Sequence, residues 1–262
     1  PHSGIAEYQY AIGTSAGATD VVGWTSTGAV ASVTKSGLSL ETGKTYYFSI
    51  KAKNKAGLWG SVGVSDGILC DATPPSTPVV IDDGEYTSST NSLHATWSSS
   101  DPESGVVSYQ YAIGSTPGGT SIVNWTSVGT ATEITRTGLA LSPGTTYYIS
   151  VKATNGAGLV SAVGTSDGIK VDNSPPTTPV VTDDGVYTTD ATTLHATWTS
   201  GDLQSGIAEY QYAIGTTAGS TNVADWTSVG TATEVTRSGL ELVDGTSYYI
   251  SVKAKNGAGM WS

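Results

Sequence analysis

The sequence predicts an all-β protein made of tandem antiparallel β-sandwiches arranged as a linear array. Three observations support this prediction. The chain repeats itself every 101 residues (109 − 8 and 210 − 109), as the equivalent residues Tyr8, Tyr109 and Tyr210 show. Within each repeat, apolar residues alternate with polar ones, which is the period of a half-buried strand. Gly-rich turns separate these segments, and no segment has the period of a helix.

The middle repeat shows the strand pattern most clearly. Leu93, Ala95 and Trp97 alternate with polar neighbours and are predicted to face the core. Several short strands separated by Gly-containing turns, such as Pro143-Gly144, are typical of a sandwich. The next two inward-facing sets are predicted to be Tyr109, Tyr111 and Ile113, and then Tyr147, Ile149, Val151 and Ala153.

Pro-rich segments mark the domain boundaries, at Thr73-Pro74-Pro75 and Ser174-Pro175-Pro176. Such sequences favour stiff, extended linkers. We therefore predict domains at residues 1–72, 73–173 and 174–262, of which the middle one is complete. The first is expected to lack the equivalents of two strands and the third to lack its last strand. A longer chain, or a strand from a neighbouring molecule, would supply the missing backbone partners.

Composition limits the range of partners. The net charge is −11 and the one cysteine, Cys70, cannot form a disulfide within the chain. An acidic chain without a cluster of Lys and Arg argues against nucleic acid or an anionic membrane as partner. No apolar run approaches the roughly 20 residues that a membrane-spanning helix needs. We therefore expect neither nucleic-acid binding nor membrane insertion in this segment.

The residues resemble the fibronectin type III domain. The Pro-rich start, Trp97 on the second strand and Tyr109 on the third match its pattern. The most specific match is Leu141-Ser142-Pro143-Gly144-Thr145-Thr146-Tyr147, which is similar to the tyrosine corner of that family. It recurs with Tyr46 and Tyr248, so the resemblance covers the whole chain. It implies the sandwich fold and is not specific to one function.

The copies also resemble the long arrays of bacterial and archaeal surface or secreted proteins. The run Ser-Gly-Ile-Ala-Glu-Tyr-Gln-Tyr-Ala-Ile-Gly, which starts at Ser3 and again at Ser205, carries this likeness. The resemblance implies an extracellular or cell-surface location.

No catalytic residue is predicted, and the chain is not expected to be an enzyme. A Gly-x-Ser-x-Gly pattern occurs at Gly13–Gly17, Gly63–Gly67 and Gly164–Gly168. A hydrolase nucleophile in this pattern needs a following helix and a histidine partner, and the sequence offers neither. We interpret these segments as turns.

Acidic residues near the predicted junctions are the weak calcium candidates. Calcium takes about six to eight oxygen ligands, and these acids have no ordered spacing, so most are interpreted as turn residues. No cofactor is expected, and calcium is the minor alternative. The histidines, His2, His94 and His195, are expected at the surface and too far apart for one metal site. The calcium candidates are Asp82, Asp83, Asp101, Asp183, Asp184 and Asp202.

Exposed aromatic residues are the binding candidates. One set points away from the core by alternation, and the other lies in a Trp-Thr-Ser strand expected at a sheet edge. Such rings stack on sugars or pack against a neighbouring domain, chain or strand, and packing is the preferred interpretation. The candidates are Tyr47, Tyr148 and Tyr249, then Trp24, Trp125 and Trp226.

Asn124-Trp125-Thr126 is an Asn-x-Thr sequon, which makes Asn124 a candidate glycosylation site. The other two copies lose it, with Gly23 and Asp225 at the equivalent position.

The leading hypothesis is a non-enzymatic extracellular structural array that serves as a fibre, stalk or adhesin spacer. Its partners would be neighbouring domains of the same chain or copies of itself. The alternative is an accessory carbohydrate-binding or spacer array of a secreted polysaccharide-active enzyme, with a polysaccharide as partner.

Overall fold

The computed structural model describes residues 3–262, so His2 lies outside the described residues. All regular structure in this range is β-strand. No helix that could cross a membrane is present there.

Strands β1–β5 belong to the first domain, β6–β14 to the second and β15–β20 to the third. The first five are β1 (Ile5–Gly13), β2 (Val22–Gly28), β3 (Thr45–Asn54), β4 (Gly63–Val64) and β5 (Ile68–Leu69). The next nine are β6 (Val79–Asp82), β7 (Tyr86–Thr87), β8 (Ser92–Ser98), β9 (Val106–Gly114), β10 (Val123–Gly129), β11 (Glu133–Thr137), β12 (Thr146–Asn155), β13 (Gly164–Thr165) and β14 (Ile169–Val171). The last six are β15 (Val180–Asp183), β16 (Leu194–Thr199), β17 (Ile207–Gly215), β18 (Ala224–Gly230), β19 (Glu234–Arg237) and β20 (Tyr249–Asn256).

The middle domain is a two-sheet sandwich. One sheet has the order β11-β8-β6, and the other has the order β10-β9-β12-β14-β7, with β13 also paired to β12. All of these pairs are antiparallel except β14 with β7. Strands that are distant in sequence are neighbours in space, which is the Greek-key connectivity of such sandwiches.

The core of the middle domain lies between the two sheets and confirms the predicted alternation. Trp97 of β8 and Tyr109 of β9 meet edge-on, with ring centroids 6.0 Å apart and planes at 62°. The inward-facing sets predicted for β8, β9 and β12 are all buried, namely Leu93, Ala95, Trp97, Tyr109, Tyr111, Ile113, Tyr147, Ile149, Val151 and Ala153.

The outer domains repeat parts of this plan. In the first domain, the described strands form one sheet with the order β2-β1-β3-β4, and β5 also pairs with β3. The third domain has two three-stranded sheets, β15-β16-β19 and β18-β17-β20. In all three domains the strand that carries the Trp-Thr-Ser segment, β2, β10 or β18, lies at a sheet edge as predicted.

A tyrosine corner fixes the start of β12. The Tyr147 ring is buried, and its hydroxyl oxygen accepts a hydrogen bond from the Ser142 backbone N–H at 2.9 Å. Tyr46 and Tyr248 accept the same bond from Glu41 and Val243 at 2.8 Å. The resemblance named in the sequence therefore extends to the hydrogen bond that defines the corner.

Tyr147→Phe is expected to lower the free energy of unfolding of the middle domain by about 0.5–2 kcal/mol, because the Ser142 N–H loses its acceptor. Denaturant unfolding of the full chain, monitored through hydrogen exchange of the β12 amides, measures this change. Tyr148→Phe is the matched control, because its hydroxyl makes no hydrogen bond with the described residues. Equal effects of the two substitutions would contradict the prediction.

Candidate functional site

The first domain junction contains a buried polar cluster centred on one asparagine. Asn155 ends β12 and is 1% exposed. Its side-chain Nδ2 donates to Oδ2 of Asp71 at 2.8 Å, to the Thr73 carbonyl at 2.9 Å and to Oδ2 of Asp101 at 3.0 Å. The side-chain amide of Asn155, in the middle domain, is therefore hydrogen-bonded to Asp71, at the end of the first domain. We call the residues Asp71, Thr73, Asp101 and Asn155 the first junction cluster.

The second domain junction repeats this layout. Nδ2 of Asn256 donates to Oδ2 of Asp172 at 2.9 Å, to the Ser174 carbonyl at 2.9 Å and to Oδ2 of Asp202 at 3.2 Å. The residues Asp172, Ser174, Asp202 and Asn256 form the second junction cluster. A serine adds one further bond in each case, because Ser104 donates to Asp71 and Ser205 donates to Asp172.

Local backbone hydrogen bonding orients the side-chain amide of Asn155 towards the domain junction. Oδ1 of Asn155 accepts the Leu159 N–H at 2.8 Å, which turns Nδ2 towards the preceding domain. Gly156 follows, and a Cβ there would lie 2.8 Å from the Ser104 carbonyl oxygen. The same crowding occurs at Gly257, where a Cβ would lie 2.9 Å from the Ser205 carbonyl oxygen. Glycine therefore permits the close approach of the two segments.

One carboxylate of each cluster, Asp101 in the first and Asp202 in the second, has its pKa lowered, which favours its charged form. Burial alone would raise the pKa of Asp101, but hydrogen bonds from the Ser104 backbone, the Asn155 side chain and the Gly105 backbone outweigh it and lower the pKa. The pKa of Asp202 is lowered in the same way, against burial, chiefly by the Ser205 backbone and the Asn256 side chain. Hydrogen bonds to the ionised form favour that form.

Acidification is expected to lower the free energy of unfolding of the middle domain, because Asp101 and the donors Ser104, Gly105 and Asn155 all belong to it. Because the folded-state pKa of Asp101 lies below its ordinary value of 3.8, its contribution is present above that value and is lost as the pH falls through the lowered pKa. Below about pH 5, we expect the free energy of unfolding to fall less steeply with decreasing pH in Asp101→Asn than in the wild-type chain. Denaturant melts of the full chain at several pH values measure this difference. Identical pH profiles for the two proteins would contradict it.

The six calcium candidates do not form one group. Asp83 and Asp184 each contact a histidine, with 2.7 Å between Oδ1 and Nδ1 of His94 and His195. Asp101 and Asp202 lie at different junctions. Among the described residues, one group of three acids brings its oxygens within 4.8 Å of one another, namely Asp71, Asp101 and Glu103. Calcium binding at any of the candidates stays a prediction.

The tryptophan candidates stack against lysines of the same sheet, which lie on β3, β12 and β20. The Nζ atom of Lys51 lies 4.2 Å from the centroid of the Trp24 ring. Trp125 with Lys152 and Trp226 with Lys253 repeat this contact at 4.5 and 4.4 Å. In the outer domains the same lysines also face Trp59 at 4.8 Å and Trp261 at 4.6 Å. These cation–π contacts favour the interpretation of the rings as packing groups.

Two of the three tyrosine candidates, Tyr47 and Tyr148, lie against a glycine of the hairpin that follows β3 or β12. A Cβ at Gly67 would lie 2.8 Å from Cε1 of Tyr47, and one at Gly168 would lie 2.5 Å from Cε1 of Tyr148. Both rings are half-buried, whereas Tyr249 is 45% exposed. Ligand binding by any of these six aromatic residues stays a prediction.

The glycosylation candidate is accessible in part. Asn124 is exposed, and its Oδ1 accepts the Trp125 N–H at 2.8 Å. The Thr126 hydroxyl donates to the Asn124 carbonyl at 2.8 Å. Modification of Asn124 stays a prediction.

Comparisons with known proteins add one relative. No family model matches the chain. The chain is 29% identical over 248 residues to Exoglucanase B of Cellulomonas fimi, a match that covers 89% of this chain and 20% of that protein. The chain therefore spans about a fifth of the length of this relative.

Two solved structures of multidomain chains are similar in outline. The FN1–FN3 domains of chicken CNTN1 share 19% identity, cover 99% of this chain and 86% of their own, and give a TM-score of 0.38. Titin domains A168–A170 share 15% identity, cover 98% of this chain and 95% of their own, and give a TM-score of 0.47. At these scores the fold assignment rests on the strand order and the tyrosine corners of the chain itself. The domains are fibronectin type III-like.

Proposed function

We propose that this fibronectin type III-like array is a non-enzymatic spacer of an extracellular protein, in which successive domains are held at defined angles. The observation that carries the proposal is the asparagine-centred cluster found at both junctions. A flexible spacer needs no buried contacts between domains, because its linkers are solvated. The bonds that restrain the rotation of one domain against the next are those from Asn155 to Asp71 and from Asn256 to Asp172, because they cross the domain boundary.

The Gly-x-Ser-x-Gly segments support the non-enzymatic part of the proposal. Ser166 is buried, and its hydroxyl oxygen accepts the backbone N–H of Ile149 at 3.2 Å. Ser65 accepts the N–H of Phe48 in the same way at 3.0 Å. These two hydroxyls accept backbone N–H groups of the neighbouring strand, and among the described residues no histidine contacts either of them as the base that an acyl-transfer nucleophile requires.

Small-angle X-ray scattering of the full chain tests the spacer function. We expect one extended arrangement of the three domains to fit the scattering curve at every salt concentration that is high enough to screen the charges at the junctions. Asn155→Ala combined with Asn256→Ala should broaden the distance distribution, while Asn54→Ala, whose side chain bonds to neither junction cluster among the described residues, serves as the control. A wild-type curve that only a freely jointed ensemble can fit would overturn the proposal.

A carbohydrate-binding accessory role is the second candidate. It is favoured by the name of the relative, Exoglucanase B, and by partly exposed rings such as Trp59 at 40%. If it holds, the full chain should be retained on insoluble polysaccharide. Replacement of Trp125 and Tyr148 by alanine should then reduce retention without a change in melting temperature. Absence of wild-type retention on a broad polysaccharide panel would leave the spacer role alone.

A further inference from the structure

We propose that the sheet edge formed by β2, β10 or β18 is protected against pairing with a second copy of the chain. The protection comes from hydrogen bonds that side chains of the edge strand make to the backbone of the same strand. Copies of the array can then lie side by side without joining their sheets. Such protection would serve any array of these domains, so it does not depend on the spacer function.

The three strands are long for the edge of a sheet. Each has seven residues, whereas the other edge strands of the middle domain, β6, β7, β11 and β13, have between two and five. A long edge strand offers unpaired backbone N–H and C=O groups on which another chain can add a strand. Trp and Thr favour strands, so the Trp-Thr-Ser segment is suited to such pairing unless something prevents it.

Side chains of β10 bond to three of its own backbone groups. Oδ1 of Asn124 accepts the Trp125 N–H at 2.8 Å, and the Thr126 hydroxyl donates to the Asn124 carbonyl at 2.8 Å. The Ser127 hydroxyl oxygen accepts the Gly129 N–H at 3.5 Å, a longer contact. A backbone group that already has a partner on its own strand gains little from a new strand.

The edge strand of the third domain makes the same three bonds. Oδ1 of Asp225 accepts the Trp226 N–H at 2.7 Å, and the Thr227 hydroxyl donates to the Asp225 carbonyl at 2.9 Å. The Ser228 hydroxyl oxygen accepts the Gly230 N–H at 3.4 Å. Asparagine and aspartate therefore exchange at this position without loss of the bond, because each offers an Oδ1 acceptor.

The first domain keeps two of the three bonds. The Thr25 hydroxyl donates to the Gly23 carbonyl at 2.9 Å, and the Ser26 hydroxyl oxygen accepts the Gly28 N–H at 3.1 Å. Gly23 has no side chain to offer the Trp24 N–H. Eight such bonds thus recur over the three repeats at equivalent positions.

Backbone irregularities are a second obstacle to pairing at the same edge. The register of each edge strand against its neighbour shifts twice, in the middle domain between Val123 and Thr126 and between Ser127 and Gly129. Bulges of this kind twist an edge away from flat pairing. The glycine that ends each strand has a positive φ of 63°, 59° or 60°, at Gly28, Gly129 and Gly230. Such a φ takes the backbone out of the extended conformation that a new ladder would need.

Removal of the three side-chain bonds of β10 tests the protection. The variant of the full chain combines Asn124→Ala, Thr126→Val and Ser127→Ala, and Thr126→Val alone is the mildest form of the same change. Asn124→Asp is one control, because Asp225 shows that an aspartate makes the same bond while the sequon is lost. A reducing agent is present throughout, so that Cys70 does not cross-link the copies.

A second control makes the same kinds of change on inner strands. It combines Gln110→Ala and Ser108→Ala on β9 with Thr154→Val on β12. These three side chains make no hydrogen bond with the described residues, and both strands are paired on two sides. The control therefore matches the loss of polar groups without opening an edge.

Sedimentation velocity over a range of concentrations measures self-association, and hydrogen exchange locates it. Two or three freed backbone groups of ordinary hydrogen-bond strength should tighten self-association of the triple variant at least about tenfold relative to both controls. Thr126→Val alone should change it in the same direction. The Trp125 amide should gain protection as the oligomer forms, and the melting temperature shows that each variant is folded.

Two results would overturn the protection of the edge. One is self-association of the folded triple variant and of Thr126→Val that is no tighter than in the controls. The other is association that leaves the Trp125 amide unprotected, because the copies would then meet elsewhere. Neither result bears on the spacer function, which the scattering experiment tests separately.

Discussion

Trp97→Ala is expected to destabilise the middle domain by about 3–5 kcal/mol, the range for truncating a large buried aromatic. The side chain is 5% exposed, lies in the core with Val80 and Leu141, and meets Tyr109 edge-on. Its Nε1 has no hydrogen-bond partner among the described residues, so the loss is one of packing. Trp97→Phe should cost less than the alanine substitution, because the smaller ring keeps part of the packing and neither change removes a hydrogen bond.

Hydrogen exchange of the full chain measures this effect domain by domain. Amides of β9 and β12 should exchange faster in Trp97→Ala, while those of β17 and β20 in the third domain keep most of their protection. Trp198→Ala should show the reverse pattern, since Trp198 packs on Tyr210 at 5.9 Å in the same geometry. Unchanged protection of the middle domain in Trp97→Ala would refute the assignment of its core.

Asn155→Ala is expected to lower the free energy of opening at the first junction by about 1.5–3 kcal/mol, the range for one hydrogen bond to a charged acceptor, because its bond to Asp71 crosses the domain boundary. The substitution removes the donor to Asp71 and Asp101 and leaves both acids without it. Hydrogen exchange of the amides of Ser104 and Gly105, which bond to Oδ1 of Asp101, reports the change.

Asn54→Ala is the matched control for this prediction. Asn54 Oδ1 accepts the Leu58 N–H at 2.9 Å, as Asn155 does from Leu159. Among the described residues, Asn54 makes no bond to a junction acid, so its loss should cost about 1 kcal/mol, the value of one ordinary hydrogen bond. Similar costs for Asn54→Ala and Asn155→Ala would show that the asparagine stabilises its own hairpin and not the junction.

The strands and the core could be predicted from the sequence because period-two alternation determines which side chains face inward. The burial of Trp97, Tyr109 and Tyr147 follows directly from that pattern. The edge position of the Trp125 strand was also predictable. The parallel pairing of β7 with β14 was not, because β7 has two residues and leaves no periodic signal.

The junction clusters could not be derived from local pattern. Asn155 and Asp71 are 84 residues apart, and neither spacing nor alternation indicates that they meet. A signal was nevertheless present, because an asparagine recurs at 54, 155 and 256 and an aspartate precedes each Pro-rich linker. The Pro-rich linkers predict stiffness, but the hydrogen bonds around Asn155 supply contacts that proline alone does not.

The stacking of lysine on tryptophan was partly predictable. Alternation along β12 places Lys152 on the outer face, the same face as the Trp125 ring of the edge strand. The distance between them depends on strand register, which includes an irregularity between Val123 and Thr126. Sequence alone could therefore identify the rings that face away from the core, and could not tell whether a lysine or a ligand would cover them; all of the six candidates but Tyr249 are half-buried.

Residual dipolar couplings of the full chain in a weakly aligning medium test the central claim of fixed domain geometry most directly. We predict that the amides of the middle and third domains fit a single alignment tensor, because Asn256 donates to Asp172, Lys170 donates to the backbone carbonyl of Gln204, and the Tyr86 ring lies against Gly257. The first domain should fit the same tensor, because Asn155 donates to Asp71 in the same way. Independent tensors for the middle and third domains would show that the array is flexibly linked and would contradict the proposed spacer geometry.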